Sequence, residues 1–317
     1  VRGVLTGTAL VLAAACWAGG GGEKGKEIRP AFRFRDPEVR EASGIACSRR
    51  RKGCFWVHND SGGQARLFAV DEKGRTVGKV LLGGTLALDW EDCALEPGRG
   101  KGGRPRLWVG DIGNNLGLPL VKKLLRFPEP DPAVLAGKTL VVPRKEVQVF
   151  RCRFPEGPKD CECLMVHPLT GVPYLVPAVD RKVVGLFRWP GKPLPGRRVR
   201  VLEEAALLAV PLDTPAGMRI RAGDFGPRGR WFVLRSLTHF FVYLFPGEKK
   251  AGARRKGAKA GLPLLEPVLV EKTPSQLQGE GLAVEPSGKA LWLCGEGRGS
   301  RVFRVPLPSI PPRARRK

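Results

Sequence analysis

Glu91-Asp92-Cys93-Ala94-Leu95-Glu96-Pro97, then Leu107-Trp108-Val109-Gly110-Asp111, is the stretch that decides the fold. An acidic residue, a short apolar run and a Pro-bounded turn lead across a basic loop into a second apolar strand, which ends on a carboxylate. The first half recurs along the chain. Ser43-Gly44-Ile45-Ala46 precedes it, and Glu162-Cys163-Leu164-Met165-Val166-His167-Pro168 follows it. Arg221-Ala222-Gly223-Asp224-Phe225-Gly226-Pro227 and Glu280-Gly281-Leu282-Ala283-Val284-Glu285-Pro286 complete the series. Self-similarity with a period of roughly 60 residues is the mark of a repeat architecture.

Each copy leads into a second strand: Phe55-Trp56-Val57-His58, Leu107-Trp108-Val109, Tyr174-Leu175-Val176, Trp231-Phe232-Val233-Leu234 and Leu291-Trp292-Leu293-Cys294. Third strands are predicted over 65–70, 121–127, 183–189, 240–245 and 301–305. Fourth strands fall near 76–82, 146–154, 198–202 and 264–271, and the last unit lacks one. Ala31-Phe32-Arg33-Phe34-Arg35 alternates apolar and charged residues, as a half-exposed strand does, and is free to supply it. Closing the ring in this way removes an exposed sheet edge. The expectation is an all-β chain, a β-propeller of five four-stranded blades closed by an N-terminal strand. A sixth blade would have to hide between the second and third units, where there are too few strands. Gly 42 and Pro 29 among 317 residues fit frequent turns and short strands.

Residues 1–18 read as a signal peptide, with Arg2 ahead of an apolar run and Ala13-Ala14-Ala15 as a cleavage site. Leu12-Ala13-Ala14-Ala15-Cys16 also approximates a lipoprotein box, with Cys16 acylated. Residues 19–30 form a Gly-rich linker, 31–308 the propeller and 309–317 a basic tail. Export to the periplasm or cell envelope is expected, with membrane contact only through a lipid anchor. It makes disulfides permissible among the eight cysteines, and Cys47 and Cys54 flank a turn that would bring them together.

A net charge of +25 favours acidic polymers as partners. The basic runs fall in turns, a long loop and the tail, with no interleaved aromatics and no helix-turn-helix, zinc-finger or RNP pattern. Sequence-specific nucleic-acid binding is therefore not expected. Nothing in the pattern asks for an oligomer, and a monomer is expected.

In a propeller the first strand of each blade lines the axis. Glu91, Glu162 and Glu280 share one position there, with Ser43 and Arg221 in the other two blades. Asn59, Asp60, Asp111 and Glu296 end second strands, and Asn114 follows Asp111 in a Gly-bounded loop. Converging carboxylates hold a hard cation through oxygen, pair with Arg221 or Arg235, or cap strand ends. His58 beside Asn59-Asp60 joins the candidate rim. No Gly-x-Ser-x-Gly elbow appears, so a Ser/His/Asp triad is unsupported.

With Ser43-Gly44-Ile45-Ala46, His58-Asn59-Asp60-Ser61-Gly62, Asp89-Trp90-Glu91-Asp92, Gly110-Asp111-Ile112-Gly113-Asn114-Asn115, Asp160-Cys161-Glu162 and Gln278-Gly279-Glu280-Gly281, residues 41–308 resemble a family of bacterial exported β-propeller proteins. More distantly the chain is similar to phytase-like and lactonase-like propellers, which hold calcium on axial carboxylates. That resemblance implies Ca2+ as the cation and Glu91, Glu162, Glu280, Asp60 and Asp111 as its ligands. The third unit departs from the family at Val176-Pro177-Ala178-Val179, where a polar strand ending is usual, and 248–260 is an added basic insertion. The leading expectation is non-catalytic binding of a ligand or protein partner at the axial rim, with His58, Asn59, Asn114, Arg221, Arg235 and Glu296 as rim residues. The alternatives are a calcium-dependent hydrolase of phosphoesters or lactones, and polyanion binding through the basic loops.

Overall fold

The first strand of each repeat is apolar along nearly its whole length because both of its faces are covered by neighbouring repeats. Ala42–Cys47, Trp90–Glu96, Cys161–Val166 and Gly279–Val284 are buried at every residue. With Ala222–Phe225 they pack side by side in a closed ring of five. The protein, described by a computed structural model over residues 28–60, 63–98, 100, 102–114, 121–247 and 261–310, is a five-bladed β-propeller. The expected signal peptide, Cys16, most of the linker, the 248–260 insertion and nearly all of the basic tail lie outside the described residues.

From the axis outward the first blade is Ala42–Cys47, Cys54–Asn59, Gln64–Asp71 and Thr76–Leu86, each antiparallel to the next. The second is Trp90–Glu96, Arg106–Asp111, Lys122–Pro128 and Gln148–Arg153. The third is Cys161–Val166, Pro173–Pro177, Val183–Arg188 and Glu203–Ala209. The fourth is Ala222–Phe225, Trp231–Arg235, His239–Leu244 and Pro267–Lys272. The fifth is Gly279–Val284, Ala290–Gly295, Arg301–Pro306 and the N-terminal Phe32–Arg33, which pairs with Arg301 and Val302 and closes the ring.

The fourth strand of the third blade is not the predicted 198–202. Val199–Val201 instead pairs in parallel with Gln148–Arg153 on the outside of the second blade. Thr139–Val142 does the same for the first blade, and Leu264–Leu265 for the third. In each case the link between a blade's third and fourth strands reaches back to cover the preceding blade's outer edge. The long interval after the second repeat holds such a covering strand and the short helix Pro132–Leu135, not a hidden sixth blade. The fourth and fifth blades have no covering strand among the described residues. Their edges carry Pro267, Glu271 and Lys272, or are two residues long, which discourages further pairing.

Four apolar clusters fill the spaces between blades. One buried and one half-buried carboxylate add polar ties. Asp92 accepts from Cys93 N at 2.8 Å and from Leu164 N of the next blade at 3.0 Å. Asp224 accepts from Phe225 N at 2.8 Å and from Val284 N of the next blade at 2.9 Å. The expected Cys47–Cys54 disulfide is not formed. Cys47 packs between the first and fifth blades and Cys54 between the first and second, on opposite faces of one sheet. All seven described cysteines are buried free thiols, and burial raises the pKa of each, so they are unreactive.

Candidate functional site

The inner strands all begin on one face of the ring, and their first residues gather there. In the second blade Asp89 and Glu91 flank Trp90, whose indole is fully buried. A bulge between Trp90 and Asp92 places Glu91 at the mouth of the axis. Asp60 follows the second strand of the first blade. Carboxylate oxygens of Asp60, Asp89 and Glu91 lie within 4.8 Å of one another. Glu91 is only 6% exposed, so its charge has little water to solvate it. Burial, then Asp60, Glu162, Asp89 and Asp160, push its pKa up to about 11.

Gly113 makes the cluster sterically feasible. A Cβ there would overlap Glu91 Oε1 and the Asp89 carboxyl group. Its amide donates to Asp89 O at 3.3 Å, and its carbonyl accepts from the buried Lys122 Nζ at 2.5 Å. Gly113→Ala is therefore expected to spread the three carboxylates and weaken any cation bound there at least tenfold, with a melting-temperature loss of only a few degrees. Paired calorimetric titration and thermal melts of the variant check this.

Across the axis lies an arginine-bridged half. Arg221 Nη1 contacts Glu162 Oε2 at 2.5 Å and Glu280 Oε1 at 3.3 Å. Arg219 contacts Asp160 at 2.6 Å and Glu162 at 3.6 Å. Burial pushes Glu162 up and Arg221 pulls it back, leaving it at about 7. Burial, Glu296 and Glu162 raise Glu280 to about 9. Burial works against the Arg221 charge, but Glu162 and Glu280 outweigh it and raise its pKa. Ser43, at the equivalent place in the first blade, donates its hydroxyl to Glu91 O.

The expected ligand set is thus divided. Asp60 and Glu91 come together, Glu162 and Glu280 share Arg221, and Asp111 stands apart. Asp111 accepts from Asp89 N at 3.0 Å and from Lys123 Nζ at 3.4 Å, so it positions Asp89. Burial raises its pKa, and Lys123 opposes the rise.

Three expected rim residues are buried or spent on backbone. His58 is fully buried, with Nδ1 2.9 Å from Asn59 O and its ring edge-on to Trp90, and burial lowers its pKa to about 4. Arg235 is fully buried between the fourth and fifth blades. Asn59 is spent on backbone: it accepts from Arg40 N and Glu41 N and donates to Glu38 O. Glu296 stays by the axis, hydrogen-bonded to Glu280. Asn114 Oδ1 is buried with no hydrogen-bond partner among the described residues.

Asp89, Asp160, Arg219 and Lys122 were not anticipated. The first three carry a signal: each stands two residues before Glu91, Glu162 or Arg221. Residues i and i+2 of an extended chain share a face.

The arrangement offers an all-oxygen donor set in a half-dry recess, which suits a hard cation such as Ca2+ rather than a thiolate- or imidazole-seeking metal. No protein-family model and no curated protein matches this sequence. Solved structures with a similar fold include a chain of the mitotic checkpoint complex, at 10% identity over 83% of this chain and 61% of that one, with a TM-score of 0.37. This chain therefore spans about three fifths of the length of that neighbour. A gluconolactonase from Xanthomonas campestris is similar at 11% identity over 85% and 77% of the two chains, TM-score 0.44. U3-55K is similar at 12% identity over 84% and 80%, TM-score 0.43. At these identities the likenesses assign no activity, substrate or partner.

Proposed function

We propose that the axial face is a divalent-cation site, held by Asp60, Asp89 and Glu91, through which the propeller binds an oxygen-bearing ligand without transforming it. One observation carries the reading: three carboxylates on two blades offer oxygens within 4.8 Å in a recess where Glu91 is 6% exposed. Such a cluster is costly when all three carboxyl groups are ionised together, and a proton or a cation relieves that cost. Calcium takes six to eight oxygens, so three carboxylates leave positions for water and ligand. Export belongs to the same proposal and would place the protein where a weak site suffices, with Kd about 0.1–1 mM.

Isothermal calorimetry with CaCl2 on metal-stripped protein tests this. Saturable binding with about one site is expected, and it should fall at least tenfold in Asp89→Asn. Absence of binding up to about 10 mM would remove the reading, since that exceeds the range of extracellular calcium modules.

A second reading rests on Glu162. Held at about 7, it is an axial carboxyl group able to exchange a proton at neutral pH. A calcium-dependent hydrolase of phosphoesters or lactones would place its substrate between the cation and this group, with the cation polarising the substrate or water. Turnover of a chromogenic phosphoester or of a simple lactone, abolished in Glu162→Gln while calcium binding persists, would replace the non-catalytic reading by this one.

A further inference from the structure

On the opposite face, where the inner strands end, the third, fourth and fifth blades enclose an open cleft of about 1230 Å³. It exceeds the roughly 300–1,000 Å³ of ordinary small-ligand pockets. One wall is firmly built. His167 is buried, with Nε2 3.2 Å from Gly229 O and Nδ1 3.2 Å from Thr170 Oγ1, and its ring centroid is 5.1 Å from Phe225 and 5.2 Å from Phe245. Gly229 has φ +62°, and a Cβ there would run into the His167 ring. The apolar lining includes Trp231, Leu307, Ile310 and Leu169, which is 62% exposed at its tip.

The charge of this cleft is one-sided. Arg228, Arg230 and Lys289 line it, and all three are exposed and without an ion pair among the described residues. Among the described residues no Asp or Glu lines it. The axial face is the reverse, gathering Asp60, Asp89, Glu91, Asp160, Glu162 and Glu280 about Arg219 and Arg221. Among the described residues, Thr170, Ser287 and Ser309 are the neutral hydroxyl side chains of the cleft, joined by His167, too few to read the hydroxyls of a sugar chain. The chain's own segments 248–260 and 311–317 leave from Gly247 and Ile310 at its margin. Both are rich in Lys and Arg, so neither complements it.

We infer that this cleft docks an acidic peptide segment that also carries apolar side chains. Exposed arginines recognise carboxylates in a planar, bidentate manner, and a Trp beside them is the usual kind of anchor for an apolar side chain. The site is independent of the axial cation.

Selection of a randomised 12-residue phage-displayed peptide library on the full chain tests this, with enriched sequences remade as fluorescent peptides. Enrichment of peptides combining Asp or Glu with Leu, Ile or Phe is expected. Their affinity should fall at least tenfold in Arg228→Glu/Arg230→Glu and at least threefold in Leu169→Asp. It should change less than twofold in Arg197→Glu/Arg198→Glu, which alters net charge equally on an exposed bend outside the cleft lining. Failure to enrich acidic peptides overturns the inference, as does an equal loss in the two double variants. Poly-glutamate binding as tightly as the selected peptides would also overturn it. So would sedimentation with phosphatidylglycerol vesicles that depends on Arg228 and Arg230 while no peptide binds, which would make the cleft a lipid site.

Discussion

Arg235→Met is expected to destabilise the protein by about 3–5 kcal/mol, the cost of leaving three neutral acceptors without their donor at about 1–3 kcal/mol each. The side chain leaves the fourth blade's second strand and crosses to the fifth blade. Its Nη1 donates to Gly281 O and Cys294 O, both at 2.6 Å, and its Nη2 to Gln276 Oε1 at 2.5 Å. Burial lowers its pKa to about 10, with Cys294 and Glu280 opposing, so the guanidinium is charged at neutral pH. Methionine keeps the apolar stem and much of the volume. It leaves two buried carbonyl oxygens and the amide oxygen of the half-buried Gln276 without this donor. At about 2–4 °C per kcal/mol, melting should drop by roughly 10 °C. Arg235→Lys should recover only part of this, because one ammonium cannot reproduce the planar fork that spans the partners. Differential scanning calorimetry of the two variants decides it. A loss below about 1 kcal/mol for Arg235→Met would mean that these contacts do not hold the seam between the blades.

Arg235 also marks where sequence stops being informative. An Arg closing an apolar strand reads as a rim residue, and its acceptors belong to the next blade, which no local pattern reveals. The repeat itself was legible for the opposite reason. Inner strands covered on both faces read as unbroken apolar runs, and Phe32-Arg33-Phe34 shows the alternation of a strand with one face exposed. The fourth strand of the third blade was misplaced because Val199–Val201 has the composition of any edge strand. Only the tertiary pairing tells that it belongs to the preceding blade. Cys47 and Cys54 fail to meet because hairpin register, not proximity in sequence, decides which face a side chain takes. At the axis, Glu91, Glu162, Glu280 and Arg221 followed from the repeat. The division into an acidic half and an arginine-bridged half did not, since it depends on which blade neighbours which. Asp89 was within reach, two residues from Glu91 on the same face.

Glu91→Gln is expected to have opposite effects with and without calcium. In metal-free protein the Glu91 pKa is about 11 against an ordinary value of 4.5, so the native state holds a proton that the unfolded chain releases. A raised native pKa gives stability that is fully present below the unfolded value. It is lost progressively as pH rises through about 11. Glu280, raised to about 9, and Glu162, raised to about 7, act in the same direction over narrower windows. Metal-free protein should therefore weaken from pH 5 to pH 9. Glutamine keeps the shape of the protonated acid without its charge, so the variant should weaken less and exceed the parent at pH 9 by about 1–3 kcal/mol, the scale of a buried uncompensated polar group. Calcium reverses the order. Binding to the native state stabilises by RT ln(1 + [L]/Kd), about 2.7 kcal/mol at a hundredfold excess over Kd, and deprotonation of Glu91 favours it. The parent should then gain from calcium, more at pH 8 than at pH 6, while Glu91→Gln gains almost nothing. Urea unfolding at both pH values, in EDTA and in 10 mM CaCl2, reads all four conditions. If the parent shows no calcium gain while the metal-free order holds, the three carboxylates form a proton-sharing cluster and not a cation site. If Glu91→Gln is also no more stable than the parent at pH 9, the cluster is open enough for water to solvate its charges.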